Sequence, residues 1–286
     1  MLTVFTPTFN RYEQLKCLYH SLVRQQVEDF EWLVIDDGST DCTNILLREL
    51  SESAPFPIHY EYQKNGGKHR AYNRALAMAK GEWFVCIDSD DRLADGIMTF
   101  LLSRLQKENA QIVVAYKCNE HGELLSDSFP EEGILTSWYS LQFEQRCRGE
   151  FTLVFRTDYA RRYPFPTFQD ERFMTESVIY DRMARDQVVS VLPEIVTVCE
   201  YQPEGLSART NAIMRDNPAC FCLYYMQRID LQSSFTARTI IAGKYWAFCL
   251  FAGQKRTPYT GEHPGVVRLA APLGTVFWLY YKLFRF

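Results

Sequence analysis

The chain of 286 residues is 47% hydrophobic and carries a net charge of −4, which suits a globular protein and excludes a disordered one. The mild negative charge argues against a nucleic-acid partner. Nine cysteines occur without a C-x-x-C pair, so we expect reduced thiols in a cytoplasmic protein. The first strand is predicted almost at the first residue, so we expect no secretory signal peptide.

Strands and helices are predicted to alternate through the first ninety residues. Four apolar runs of strand character cover residues 2–5, 30–35, 58–63 and 82–87. Helices are predicted between them over residues 12–25, 42–50 and 70–80. This order predicts an α/β fold with a mostly parallel central sheet, flanked by helices and connected by right-handed crossovers. The loops that follow parallel strands should meet at one edge of the sheet.

The fourth predicted strand runs directly into a cluster of acidic residues, Asp88-Ser89-Asp90-Asp91. Carboxylates this close repel one another unless a cation lies among them, and their hard oxygens suit Mg²⁺ or Mn²⁺. The plain alternative is a solvated acidic turn, with Asp91 capping the next helix, predicted over residues 96–105. The cluster alone leaves both interpretations open.

Three further motifs precede this cluster in order along the chain. The four motifs are Pro7-Thr8-Phe9-Asn10-Arg11, Asp36-Asp37-Gly38-Ser39-Thr40-Asp41, Asn65-Gly66-Gly67 with the following Ala71-Tyr72-Asn73-Arg74, and Asp88-Ser89-Asp90-Asp91. Together they resemble family 2 glycosyltransferases, which have the GT-A fold. The resemblance covers roughly the first hundred residues closely and the next hundred loosely. It implies an enzyme that transfers a sugar from a nucleotide-diphosphate donor, with UDP favoured over GDP or dTDP.

The resemblance assigns roles at both ends of the donor. Asp90 is expected to touch a Mn²⁺ or Mg²⁺ ion, with Asp88 and the adjoining Ser89 near the ribose and the ion. Asp36 or Asp37 is expected to accept a hydrogen bond from the base, and Asp37 is favoured. The residues expected along the other edge of the base are Thr6, Pro7, Thr8 and Arg11. A solvated loop charge remains the alternative for Arg11.

The glycine-rich loop and the helix after it are expected at the diphosphate. Gly67 would let the main chain approach a phosphate, and the helix N-terminus points to the same place. Lys68 and Arg70 would add positive charge there, unless they are solvated charges at a helix end. His69 is expected to be a polar surface residue. Asn73 resembles an asparagine of the family and is expected to support the loop from behind.

The general base is expected in the second half of the chain. Family members usually have Glu-Asp where this chain has Glu176-Ser177, and serine cannot serve as that base. Glu176 is therefore the favoured base, and Asp181 is a weaker candidate. The alternative for Glu176 is an acidic residue in a first helical turn, stabilised by the helix dipole. A single carboxylate base implies an inverting displacement.

The C-terminal part is predicted to be helical and rich in aromatic residues. We expect a GT-A catalytic domain over residues 1–210, with a donor-binding half (1–105) and an acceptor-binding half (106–210). Residues 211–286 form a helical extension, and its last segment, from 269 to 286, mixes aromatic and basic residues. Such a segment suits the surface of a membrane, or it packs on protein. A loop at 201–207 resembles one that closes over the site in the family.

No Gln-x-x-Arg-Trp motif follows, so one sugar for each encounter is expected rather than processive synthesis. The resemblance implies a saccharide acceptor, in particular a lipid-linked one used for bacterial surface polysaccharide, on the inner face of the cytoplasmic membrane. Two alternatives remain. One is a sugar-nucleotide pyrophosphorylase, which needs glycines that the first loop lacks. The other is an inactive scaffold, which Ser177 favours and the intact acidic cluster opposes.

Overall fold

A computed structural model of the protein describes residues 1–129, 135–145, 147–183, 188–200 and 209–286. Within these ranges the chain forms two compact units. The first consists of residues 1–164 and 185–202, and the second of residues 165–184 and 203–286. Residues 165–184, expected in the acceptor-binding half of the catalytic domain, therefore cluster with the C-terminal helices. The loop expected at 201–207 lies outside the described residues.

A single sheet forms the centre of the first unit. Its strands are β1 (Leu2–Thr8), β2 (Phe30–Asp36), β3 (Ile58–Tyr62), β4 (Trp83–Cys86), β5 (Asp91–Leu93), β6 (Ile112–Asn119), β7 (Leu135–Ser137), β8 (Phe151–Arg156) and β9 (Val188–Cys199). The order is β3-β2-β1-β4-β8-β6-β9-β5, and β7 also pairs with β9. The first four strands are parallel, as predicted, whereas the remaining pairings are mixed, because only β6 and β9 run parallel there.

The α-helices of the first unit are α1 (Tyr12–Val23), α2 (Thr43–Ser53), α3 (Lys68–Met78), α4 (Ile97–Gln106) and α5 (Thr157–Ala160), and a short π-helix covers Ser140–Glu144. Leucines of α1 and α2 and apolar residues of α4 share one buried core with residues of β1 and β2. On the opposite face, Tyr72 of α3 packs edge-on against Phe5 and Phe84, with ring centroids 5.8 and 5.3 Å away. Neighbouring strand residues such as Val4 and Phe5 thus pack on opposite faces of the sheet, since side chains alternate across a strand.

The parallel register brings the strand ends to one edge. Thr8 lies opposite Asp36, and Asp36 lies opposite Tyr62. The backbone N–H of Asp37 donates to the carbonyl of Thr8 at 2.8 Å, and that of Ile87 donates to the carbonyl of Phe5 at 2.9 Å. The loops after β1, β2, β3 and β4 therefore begin side by side, as the alternating pattern predicted.

Two local expectations were wrong. Because proline cannot donate a backbone hydrogen bond, the sequence predicts two strands broken at Pro193, residues 188–192 and 194–201, but β9 is continuous across the proline. A register shift pairs Ala115 with Leu192 and then Tyr116 with Ile195, so Pro193 falls in a bulge where no ladder hydrogen bond is needed. Asp91 does not cap α4, because it begins β5 opposite Cys199, and Gly96 precedes the first residue of α4.

The second unit is helical in its described residues. Its helices are α6 (Ser177–Met183), α7 (Thr210–Asp216), α8 (Pro218–Ile229), α9 (Phe235–Ala252), α10 (Pro264–Leu269) and α11 (Ala271–Phe284). A core of its own contains Tyr225, Tyr245, Phe248 and Val267. Over the described ranges, no helix has the length and apolar character needed to cross a membrane.

Candidate active site

The three carboxylates of the acidic cluster lie on one tight turn between β4 and β5. The backbone N–H of Asp91 donates to the carbonyl of Asp88 at 3.0 Å and closes the turn. Asp88 and Asp90 are half-buried, whereas Asp91 is buried. The turn follows the C-terminal end of a parallel strand, which is where ligands bind in open α/β sheets.

Lysines from two other elements neutralise two of these carboxylates. Lys68, the first residue of α3, places its Nζ 2.6 Å from one carboxylate oxygen of Asp88 and 2.8 Å from the other. Lys117 of β6 places its Nζ 3.3 Å from Asp91 Oδ2, and both side chains are largely buried. Lys117 was not identified from the sequence. The signal that could have found it is a charged residue inside the apolar strand Ile112–Asn119.

The pKa values of the turn reflect this uneven supply of positive charge. Burial by itself raises the pKa of Asp88, but the ammonium groups of Lys68 and Lys117 outweigh it and hold the pKa below its ordinary value. Burial, followed by the negative charge of Asp88, raises the pKa of Asp90 against the opposing charge of Arg11. Burial also raises the pKa of Asp91 to about 6, although Lys117 opposes it. The turn therefore favours an additional cation.

Asp88 and Asp90 fit a divalent ion that is shared with a ligand. Among the described residues, no group of three or more histidine, cysteine or acidic side chains is arranged to hold a metal. Magnesium sites of nucleotide enzymes usually take one or two carboxylates, and waters and phosphate oxygens complete the shell. Two repelling carboxylates suit that role, because the charge of Asp88 raises the pKa of Asp90.

The pair Asp36 and Asp37 organises the loops around the second strand. Asp36 accepts hydrogen bonds from the N–H of Ser39 at 2.7 Å and the hydroxyl of Tyr60 at 2.9 Å. Asp37 is buried and accepts from the side chain of Gln63 at 2.7 Å. Two more donors reach Asp37, namely the backbone N–H groups of Gly66 at 2.8 Å and Gly67 at 2.7 Å.

The glycine-rich loop is thus held to the loop after β2. Gly67 has φ +96°, a conformation that favours glycine, and it precedes the first residue of α3. The main chain of Gly67 was expected to approach a phosphate, and in the structure its N–H and that of Gly66 donate to Asp37. Arg70 donates to the carbonyl of Gly66 at 3.1 Å, and Asn73 is half-buried on α3. His69, expected at the surface, is buried, and that expectation was wrong.

The end of β1 presents fewer of the expected side chains than the sequence indicated. Thr6, Pro7 and Thr8 are buried within the strand, and Thr6 Oγ1 accepts from the indole N–H of Trp32 at 3.0 Å. Arg11 is half-buried. Phe9, which the sequence analysis left without a role, has 46% of its side chain exposed directly beside this loop. An exposed aromatic ring offers a flat face on which a base can stack.

The candidate bases belong to the second unit. Glu176 is half-buried just before α6 and accepts from the hydroxyl of Tyr180 at 3.4 Å. Asp181 is buried and forms an ion pair with Arg228 of α8, with Oδ2 2.7 Å from Nε. Burial raises the pKa of Asp181, and the guanidinium of Arg228 opposes that shift. The surroundings of Asp181 are those of a structural ion pair, whereas Glu176 is the more accessible carboxylate.

Two residues that the sequence analysis missed hold the segment before Glu176. Glu171 accepts from the backbone N–H groups of Ala219 and Cys220 at 2.7 and 2.8 Å. Asn217 Oδ1 accepts from the N–H groups of Arg172 and Phe173, both at 3.0 Å. These bonds tie residues 171–173 to the first turn of α8, where N–H groups lack helical partners. The Asn217-Pro218 pair, typical of a helix start, was the available signal.

We predict that Asp37→Asn destabilises the protein even without ligand. Three N–H donors converge on this carboxylate, and an amide nitrogen at either oxygen position would face a donor. The expected loss is about 1–3 kcal/mol of the free energy of unfolding, measured by urea denaturation. Asp95→Asn is the matched control, because that side chain is 73% exposed in a surface ion pair. Equal stability of the two variants would contradict the bracing role of Asp37.

We predict that buried His69 makes stability depend on pH. Burial, together with the charge of Arg70, lowers its pKa from 6.5 to about 4. The neutral ring is required in the folded state, so its contribution is complete above pH 6.5 and is lost as the pH falls through 4. Over this range, the free energy of unfolding should fall more steeply in wild type than in His69→Leu, by up to about 3 kcal/mol. Identical pH profiles from urea denaturation would contradict this.

Comparison with known proteins identifies the family. The profile of Glycosyl transferase family 2 matches residues 3–163. A GalNAc(5)-diNAcBac-PP-undecaprenol beta-1,3-glucosyltransferase of Campylobacter jejuni is 29% identical over 194 residues, which cover 65% of this chain and 60% of that protein. The chain spans about half the length, or less, of several other curated relatives that it matches.

Solved structures agree on the fold. Residues 1–349 of Staphylococcus aureus TarS in complex with UDP superpose with a TM-score of 0.64 at 17% identity, covering 98% of this chain and 86% of that one. A mannosyltransferase of Pyrobaculum calidifontis in complex with GDP-Man and Mn²⁺ has a TM-score of 0.52 at 17% identity, with coverages of 98% and 81%. The expected GT-A fold is confirmed, and the chain belongs to glycosyl transferase family 2.

Proposed function

We propose that the protein is an inverting, non-processive glycosyltransferase that moves one sugar from a nucleotide-diphosphate donor, UDP-sugar in particular, to a saccharide acceptor. The observation that carries the proposal is the acidic turn at the carboxyl edge of four parallel strands, with Asp88 and Asp90 beside Lys68. Family membership supports the reaction class. The UDP complex of the structural neighbour TarS supports the choice of nucleotide.

The first unit would bind the donor. Asp88 and Asp90 would hold Mn²⁺ or Mg²⁺ together with phosphate oxygens, and the bound ion neutralises the charge that develops on the leaving diphosphate. Lys68 lies within reach of the same oxygens, because its Nζ already contacts Asp88. The base would lie near Asp37 and Arg11, and the exposed ring of Phe9 offers it a stacking surface.

The general base would be Glu176. Glu176 would take the proton of the acceptor hydroxyl as its oxygen bonds to the anomeric carbon and the bond to the diphosphate breaks. One displacement of this kind inverts the configuration. Glu176 is favoured over Asp181, because the carboxylate of Asp181 is buried and already paired with Arg228.

The acceptor would be a saccharide on a lipid carrier, used in building a bacterial surface polymer at the inner face of the cytoplasmic membrane. The Campylobacter jejuni relative supports this, because its name specifies a lipid-linked saccharide. Curated names of two further relatives refer to teichuronic acid biosynthesis in Bacillus subtilis and to teichoic acid polymerisation in Staphylococcus epidermidis.

Calorimetric titration of UDP, GDP and dTDP, each with and without Mn²⁺, tests the donor site. Asp90→Asn should weaken the metal-dependent binding of the preferred nucleotide by tenfold or more, on the order of the loss seen when metal-site residues are removed. Asp95→Asn, only a few residues along the chain and highly exposed, is the control and should bind as wild type does. No binding of any nucleotide would refute the transferase and favour an inactive scaffold.

Glu176→Gln tests the base. We expect kcat to fall by about 10²–10⁴, with the nucleotide affinity unchanged, because general-base help contributes on that order. Asp181→Asn should behave differently and lower the free energy of unfolding, because it removes the charged partner of a buried ion pair between Asp181 and the half-buried Arg228. A normal kcat in Glu176→Gln, or a folded Asp181→Asn protein without turnover, would transfer the role to another carboxylate.

A further inference from the structure

The last two helices carry apolar side chains that are open to solvent. These side chains are between 45% and 73% exposed and belong to Leu269, Val276, Leu279, Tyr280, Leu283 and Phe284. Pro272 is also exposed. Within α11 the spacing of 272, 276, 279 and 283 is three or four residues, so these side chains form one stripe along that helix, and Leu269 is exposed at the end of α10. We call this stripe the α11 outer face.

The α11 outer face is not the side that packs against the rest of the unit. Gly274 lies so close to α9 that a Cβ there would meet Trp246 Cβ at 2.3 Å. Phe277 lies against Gly243, and the ring of Tyr281 lies 5.4 Å from that of Phe248. The helix therefore has a packed apolar side and a second, exposed one. A helix that is apolar on both sides is typical of contact with another apolar medium.

The charges around this face select a negatively charged partner. Residues 209–286 contain ten lysines and arginines against three acidic residues, although the whole chain carries −4. Between residues 263 and 286 the charged side chains are Arg268, Lys282 and Arg285, all basic and all exposed. Trp278, which lies 4.8 Å from the Nζ of Lys282, adds the aromatic character of an interfacial helix.

We propose that the α11 outer face docks on a lipid bilayer that carries anionic headgroups, with α11 lying in the plane of the surface. The helix has 14 residues, which is too short to span a bilayer. A second copy of the chain would bring basic residues against basic residues, whereas anionic headgroups neutralise them. The apolar stripe would enter the boundary between headgroups and acyl chains.

Co-sedimentation of the full chain with vesicles tests this surface. Wild type should bind vesicles of phosphatidylcholine with phosphatidylglycerol more tightly than vesicles of phosphatidylcholine alone. The double variant Leu279→Asp/Leu283→Asp should lose at least about tenfold in partitioning for each substitution. Lys282→Gln/Arg285→Gln should lose about fivefold for each charge, on the anionic vesicles only. Ile45→Asp, at a 54% exposed position of α2, is the control and should bind as wild type does.

Three results would overturn the proposal: no binding of wild type, equal binding of the Leu279/Leu283 variant, or a wild-type dimer that this variant dissociates without any uptake by vesicles. Far-UV circular dichroism of each variant excludes unfolding. The inference rests on the peripheral location proposed above, and nucleotide titration of the same proteins separates the two. Vesicle binding without nucleotide binding would support the membrane-docking surface and contradict the proposed transferase reaction. Nucleotide binding without vesicle binding would contradict the docking surface alone.

Discussion

The repulsion among three carboxylates on one turn is the constraint on which the donor side of this protein depends. Asp88, Asp90 and Asp91 are brought together by the short connection between β4 and β5, and burial makes their charges costly. Lys68, which precedes the turn in the sequence, offsets the charge of Asp88, and Lys117, which follows it, offsets the charge of Asp91. The carboxylate with neither lysine as its ion-pair partner is Asp90, for which we proposed a contact with the metal. Within the turn, Asp90 is therefore the carboxylate whose charge an additional cation would offset most directly.

A second pair of acidic residues, Asp36 and Asp37, forms hydrogen bonds within the protein. Asp37 accepts from the N–H groups of Gly66 and Gly67, and Asp36 accepts from Ser39 and Tyr60, so hydrogen bonds join the loop after β2 to β3 and the loop that follows it. Charge-assisted bonds of this kind are stronger than bonds between neutral groups. Rigid loops reduce the ordering cost when a nucleotide binds. A residue can therefore lie in a binding motif while its side chain braces the loop, and only a variant that separates stability from affinity distinguishes the two roles.

The sequence predicted the strands and helices that a local pattern of residues controls. The four parallel strands and the helices between them lie within a few residues of their predicted bounds, because apolar periodicity and polar loop residues define them. Features that depend on distant residues were not predictable. Lys117 meets Asp91 across the sheet, Glu171 meets the start of α8 from 48 residues away, and His69 is buried by tertiary packing. Pro193 was misread because a bulge in β9 removes the hydrogen bond that proline would have broken.

The C-terminal helices show a second limit of prediction from apolar periodicity. A stripe of apolar residues predicts that a helix buries one side, but α11 carries two such stripes, and the pattern does not indicate which one packs inward. Close approach decides it, because Gly243 of α9 and Gly274 of α11 let the two backbones come together on one side only. The other stripe remains exposed because of this packing geometry, although its side chains are apolar. Among the described residues it stays exposed, and the basic residues beside it favour the anionic surface proposed above.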